Sequence, residues 1–125
     1  MDRKKFERLV AKAVDDLPEE FLVALDNVVV VVEDYPSRSQ KNSVGLRRDE
    51  TLLGLYEGVP QTMREHYGLV PPDKITIFQK PIEGKCRSDA DITAEVEEVV
   101  KHEIAHHFGI DDARLEQIAR GKGKS

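Results

Sequence analysis

His102, Glu103 and His106 are the residues of this chain whose types and spacing best suit chemistry, and they open a run from His102 to Asp112 that reads HExxHxxGxxD. On an α-helix, positions four apart lie one above the other, with Cβ atoms about 5–6 Å apart. Two imidazoles placed in this way can grip one metal ion. Glu103 points about 100° round the axis from His102. It is badly placed to be a third ligand but close enough to reach a water held on that ion, which is the position of a general base. A metal ion supplies what the carboxylate cannot, lowering the pKa of its water toward about 7 and polarising a substrate carbonyl. A shuffled chain of this composition would carry the extended motif only roughly once in ten thousand times, so coincidence is a weak rival. A stronger one is a helix whose histidines are ordinary core or boundary residues.

The elements that must position these residues are legible around them. Ser88-Asp89-Ala90-Asp91 resembles a capping box, which predicts a long helix from there to Phe108. Ile92, Val96, Val99, His102, Glu103 and His106 share one broad arc of that helix, with Glu97, Glu98 and Lys101 on the other side. The metal face is therefore expected to continue the core face, placing the ion against a sheet in a partly desolvated cleft. His107 lies about 100° round from His106 and is a poorer chelating partner, expected to support the site from behind or to face solvent.

The chain resembles the family of small bacterial zincin-like zinc metallopeptidases. The resemblance is carried by Leu53-Gly54-Leu55-Tyr56-Glu57-Gly58, by Ile75-Thr76-Ile77-Phe78 with Pro81-Ile82-Glu83, and by the run from His102 to Leu115. Only the last of these is chemically specific. The resemblance implies a zincin-like fold, zinc and peptidase-type chemistry. Departures from larger zincins bear on the third ligand. Metzincins place a third His where this chain has Asp112 and add a downstream Met, and no Met follows here. Gluzincins use a Glu from a later helix, and the only later Glu is Glu116. Asp112 is the better candidate, because Gly109 can take the left-handed conformation that ends the helix and turns the chain back toward the ion. Asp112 can equally be read as the N-cap of a final short helix, a part that Asp111 could take instead.

Composition narrows the remaining classes. With 125 residues the chain is expected to be one domain, residues 1–125. The N-terminal residues do not resemble a signal peptide, and the apolar run 28–32 is far below the ~20 residues that span a membrane, so a bacterial cytoplasmic protein with no membrane partner is expected. Cys86 is the only cysteine. No intrachain disulfide can form, and a lone thiol suits a reducing compartment. A net charge of −5, with both signs mixed along the chain, offers no broad cationic face and argues against a nucleic-acid partner.

The remaining segments predict an α+β scaffold. Phe6, Leu9, Val10, Ala13, Val14 and Leu17 recur at helical spacing, predicting an amphipathic helix over 2–16. Pro18, Glu19 and Glu20 open a second short helix with Phe21, Leu22 and Leu25 facing inward. Five consecutive valines, 28–32, predict a strand buried on both faces and central in its sheet. Residues 34–50 read as a long connection without periodicity, and 51–57 as a second strand in which Gly54 marks a close backbone approach or a bulge. Tyr56 is a minor candidate for polarising a substrate carbonyl. Residues 61–73 read as loop, with His66 on the surface. Ile75 to Phe78 begin a third strand that Pro81 cannot continue inside a sheet, which predicts an edge position. By resemblance, the edge segment 75–80 is the candidate for pairing with an extended peptide or protein substrate.

These expectations assemble into a small, mostly antiparallel sheet packed with helices, with the active-site helix near the C-terminus. Zn²⁺ is expected on His102, His106 and Asp112, with Glu103 activating a water to cleave a peptide or related amide bond. Two other readings stand beside it. One is a zinc-binding structural or regulatory protein with little or no turnover. The other is a zinc-dependent RNA endonuclease of the ribosomal RNA maturation type, whose motif has three His and no Glu at the second place, so that Glu103 and Asp112 both depart from it.

Overall fold

Asp2 opens the first helix, α1 (Arg3–Asp15), where its carboxylate accepts the Lys5 amide at 2.8 Å and satisfies one of the amides that a helix start leaves without a partner. The structure, a computed structural model, describes residues 1–46, 51–59 and 71–109. The stripe read from the sequence is the buried one: Phe6, Val10 and Ala13 lie in the core with Leu17. A second helix, α2 (Glu19–Ala24), carries Glu19 and Glu20 in its first turn and buries Phe21. Leu22 is exposed instead of facing inward. Asn27, with φ of 58°, turns the chain into the first strand.

The strands are β1 (Val28–Glu33), β2 (Gly54–Glu57) and β3 (Asp73–Phe78), in the order β1-β3-β2. β3 pairs in parallel with β1 and antiparallel with β2. The α+β class holds, and among the described residues the small sheet is mixed, with one parallel and one antiparallel pair, where a mostly antiparallel one was expected. A parallel pair needs a crossover of a dozen or more residues, and the chain between Glu33 and Asp73 supplies it.

The central strand is β3, which corrects two expectations, that residues 28–32 are central in the sheet and that residues 75–80 are an edge. Ile75, Thr76, Ile77 and Phe78 are fully buried, while every valine of β1 keeps some exposure and Val29 is exposed. Pro81 misled the edge assignment because the strand stops before it. A helix, α4 (Gln79–Lys85), starts directly after Phe78 and holds Pro81 in its first turn, where an absent N–H is no loss. Residues 75–80 therefore offer no free edge to a substrate.

The described part of the 34–50 connection, residues 34–46, holds a helix that was not expected. Ser37 caps α3 (Arg38–Ser43) in a reciprocal capping box with Gln40. The last helix, α5 (Asp89–Phe108), starts at Ser88, whose hydroxyl accepts the Asp91 amide at 3.1 Å. Asp91 reaches back to the Arg87 amide at 3.0 Å, one residue earlier than a strict capping box would place it. Gly109 closes the helix in the left-handed conformation, φ 71°, with its N–H on the Ala105 carbonyl, as the sequence predicts. α5 packs on α1, β2 and β3 through Ile92, Val96, Val99, Val100 and Ile104. No described helix is long and apolar enough to cross a membrane.

Candidate active site

His102 and His106 stand on one flank of α5, ring centroids 6.4 Å apart and planes tilted by 47°. Both are exposed. They border the core face and are not buried in it. Two imidazoles sharing a tetrahedral zinc at Zn–N of about 2.0–2.1 Å would have centroids roughly 5 Å apart. Exposed rings cover that difference by small side-chain rotations, so this pair fits the ion. Glu98, one turn before His102, brings Oε2 to 3.7 Å from His102 Nε2 and also pairs with Lys101 at 2.9 Å.

Glu103 turns the other way, toward β2. Its Oε1 accepts the backbone N–H of Tyr56 at 2.9 Å. Burial pushes its carboxyl above the ordinary range, while the Tyr56 N–H and then the His106 and His102 imidazoles pull it back. A carboxyl with raised proton affinity beside two imidazoles is an electrostatic setting that suits a general base.

The close approach of β2 to α5 depends on Gly54. A Cβ there would collide with Val99 Cγ1 and lie 3.2 Å from the Thr76 carbonyl oxygen. The close backbone approach expected at Gly54 is present. Beside this contact a cleft of about 460 Å³ opens, lined on one side by Thr51 to Gly54 and on the other by Glu95, Glu98, Val99, His102 and Glu103.

Tyr56 lies at the end of β2 nearest the last turn of α5. Its ring stacks on His107 with centroids 3.9 Å apart and planes 17° apart, and its hydroxyl donates to Asp73 Oδ2 at 2.6 Å. The hydroxyl is engaged within the sheet, so nothing in this geometry supports its polarising a substrate carbonyl. His107 is accounted for by the same stack. Sequence reading missed both the Tyr56 amide and this stack, because a backbone N–H has no residue signature and the pair is far apart in sequence.

Among the described residues no cluster of three or more His, Cys, Asp or Glu could hold a metal ion. Asp112 and Glu116, the sequence's candidates for a third ligand, and the alternative cap Asp111 lie outside the described residues, as do His66 and most of the loop around it. Cys86 follows α4, away from the two histidines in sequence and only partly buried. Burial and then the nearby Glu95 and Asp91 push its thiol up, which makes it a poor thiolate ligand.

Comparison with known proteins bears on the family and the fold. The family model described as zincin-like metallopeptidase matches residues 25–122. Among solved structures, a conserved hypothetical protein from Thermo thermophilus is similar, with a TM-score of 0.54 and 24% sequence identity, covering 99% of this chain and 100% of that one. At that identity the likeness concerns the fold alone. No curated protein matches.

Proposed function

The chain belongs to the zincin-like metallopeptidase family, and from that premise we propose that it is a zinc-dependent hydrolase of peptide or related amide bonds. In this reading His102 and His106 hold the ion with Asp112 as third ligand, and Glu103 is the general base. The observation that carries the proposal is the placement of Glu103. It is half-buried between the histidine pair and β2, one carboxylate oxygen tied to the Tyr56 amide. Zinc bound there would lower the pKa of a water toward about 7 and polarise the scissile carbonyl.

The chain's own residues supply the rest. Glu103 Oε1 is fixed by an amide, which leaves its second oxygen to take the water's proton and later to return it to the leaving amine. The raised proton affinity of this carboxyl favours that uptake. Among the described residues β2 is an outer strand of the sheet and Gly54 lines the cleft, which favours β2 over the central segment 75–80 as the strand an extended substrate would lie beside. Gly54, by letting β2 approach α5, keeps that strand next to Glu103.

The experiment is metal analysis coupled to turnover. Purified protein should carry one zinc per chain, lose it in His106→Ala, and cleave members of a broad peptide library in a way that chelation abolishes and added zinc restores. A tight zinc retained by His106→Ala would place the metal elsewhere. Stoichiometric zinc without any cleavage would favour a binding protein over a hydrolase.

A further inference from the structure

Tyr56 reaches the candidate site twice, by its backbone and by its ring. Phe78 N–H donates to the Leu53 carbonyl at 3.0 Å, so in the antiparallel pair Leu53 and Leu55 turn their amides toward β3. Gly54 and Tyr56 turn theirs outward. The outward Tyr56 N–H is the one that holds Glu103 Oε1. The ring of the same residue stacks on His107, in the turn of α5 that also carries His106.

The tyrosine is itself anchored. Asp73, 8% exposed in the central strand, accepts the Tyr56 hydroxyl through Oδ2 at 2.6 Å and the Val59 N–H through Oδ1 at 2.9 Å. One carboxylate thus ties both ends of the segment that leaves β2. Charge-assisted hydrogen bonds of this kind are about twice as strong as neutral ones, so the anchor is stiff where the rest of an edge strand is soft.

We infer that Tyr56, anchored by Asp73, is a positioning residue that holds the Glu103 carboxylate and the last turn of α5 in register with β2. The inference rests on the proposed role of Glu103. A carboxylate with one oxygen pinned presents the other in a fixed direction, and small misplacements of a catalytic group cost large factors in rate. The rival is that these contacts only stabilise packing. The two differ in reach, because a packing contact weakens the fold as a whole, whereas a positioning contact loosens Glu103 while the core stays intact.

Amide hydrogen exchange on the zinc-free protein reads that difference. Tyr56→Phe removes the hydroxyl while keeping the ring and the amide, and Asp73→Asn weakens the anchor from the other side. In both, the Tyr56 amide should exchange at least about tenfold faster while the Ile75 and Ile77 amides change little. In zinc-loaded protein the same variants should lose about 10- to 100-fold in kcat with KM nearly unchanged. His107→Ala should give the same signature, and His107→Phe, which keeps a stacking ring, should restore it. Unchanged Tyr56 exchange in both anchor variants overturns the inference, as does a rise shared equally by Ile75 and Ile77. Wild-type protein without zinc or turnover would remove the proposed function, and the exchange pattern would still decide whether Tyr56 positions Glu103.

Discussion

Val99 Cγ1 occupies the space that a Cβ at Gly54 would need. This contact sets how closely β2 approaches α5, and so whether Glu103 can reach the Tyr56 amide. Gly54→Ala should therefore destabilise the protein by about 1–3 kcal/mol through overpacking. Val99→Ala in the same chain should recover part of that loss, because residues in contact are coupled and distant ones are not. Denaturant unfolding of the two single variants and the double variant measures it. Additive single effects would show that Val99 is not what Gly54 makes room for.

Glu103 is expected to weaken the zinc-free fold. Burial raises its folded-state pKa above the unfolded one, so the stability it contributes is full below the unfolded pKa and falls as pH rises through the folded pKa. Glu103→Gln keeps an oxygen for the Tyr56 amide and removes the buried charge. Zinc-free wild type should therefore lose stability relative to Glu103→Gln as pH rises from about 4 toward neutrality. Unfolding midpoints across that range test it, and parallel curves would deny the buried charge.

Asp112 separates ligand from cap by what its amide variant loses. Asn caps a helix about as well as Asp, so Asp112→Asn should leave zinc-free stability nearly unchanged. As a lost ligand it should weaken zinc binding by at least the roughly 10–100-fold typical of outer-sphere partners. Chelator competition reads the affinity. An unchanged value would make Asp112 a cap.

What the sequence revealed followed the range of the interactions concerned. α1 and α5 were legible because their stripes and caps are local, and the His102–His106 spacing fixes a shared flank of the helix. Strand order was not legible, since it is decided between segments far apart. Five valines describe a strand that packs well, and they do so equally for the partly exposed edge that β1 forms. Pro81 marks the end of a strand or the first turn of a helix, and the abrupt passage from Phe78 into α4 made it the second. The cue for α3 was present as Ser37 with Gln40 three residues on, hidden in a segment without an apolar stripe. The bond from Tyr56 to Glu103 spans 47 positions and uses an amide that every residue but proline possesses.

Glu103 is proposed to take the proton of the attacking water, and comparing wild type with Glu103→Gln on a broad peptide library at matched zinc occupancy tests this role. The variant should bind one zinc with near-normal affinity, since its size and helix propensity are almost unchanged. Its cleavage rate should fall by about 10²–10⁴-fold, the usual contribution of a general base. Equal cleavage by both proteins at equal zinc would show that Glu103 is not the base.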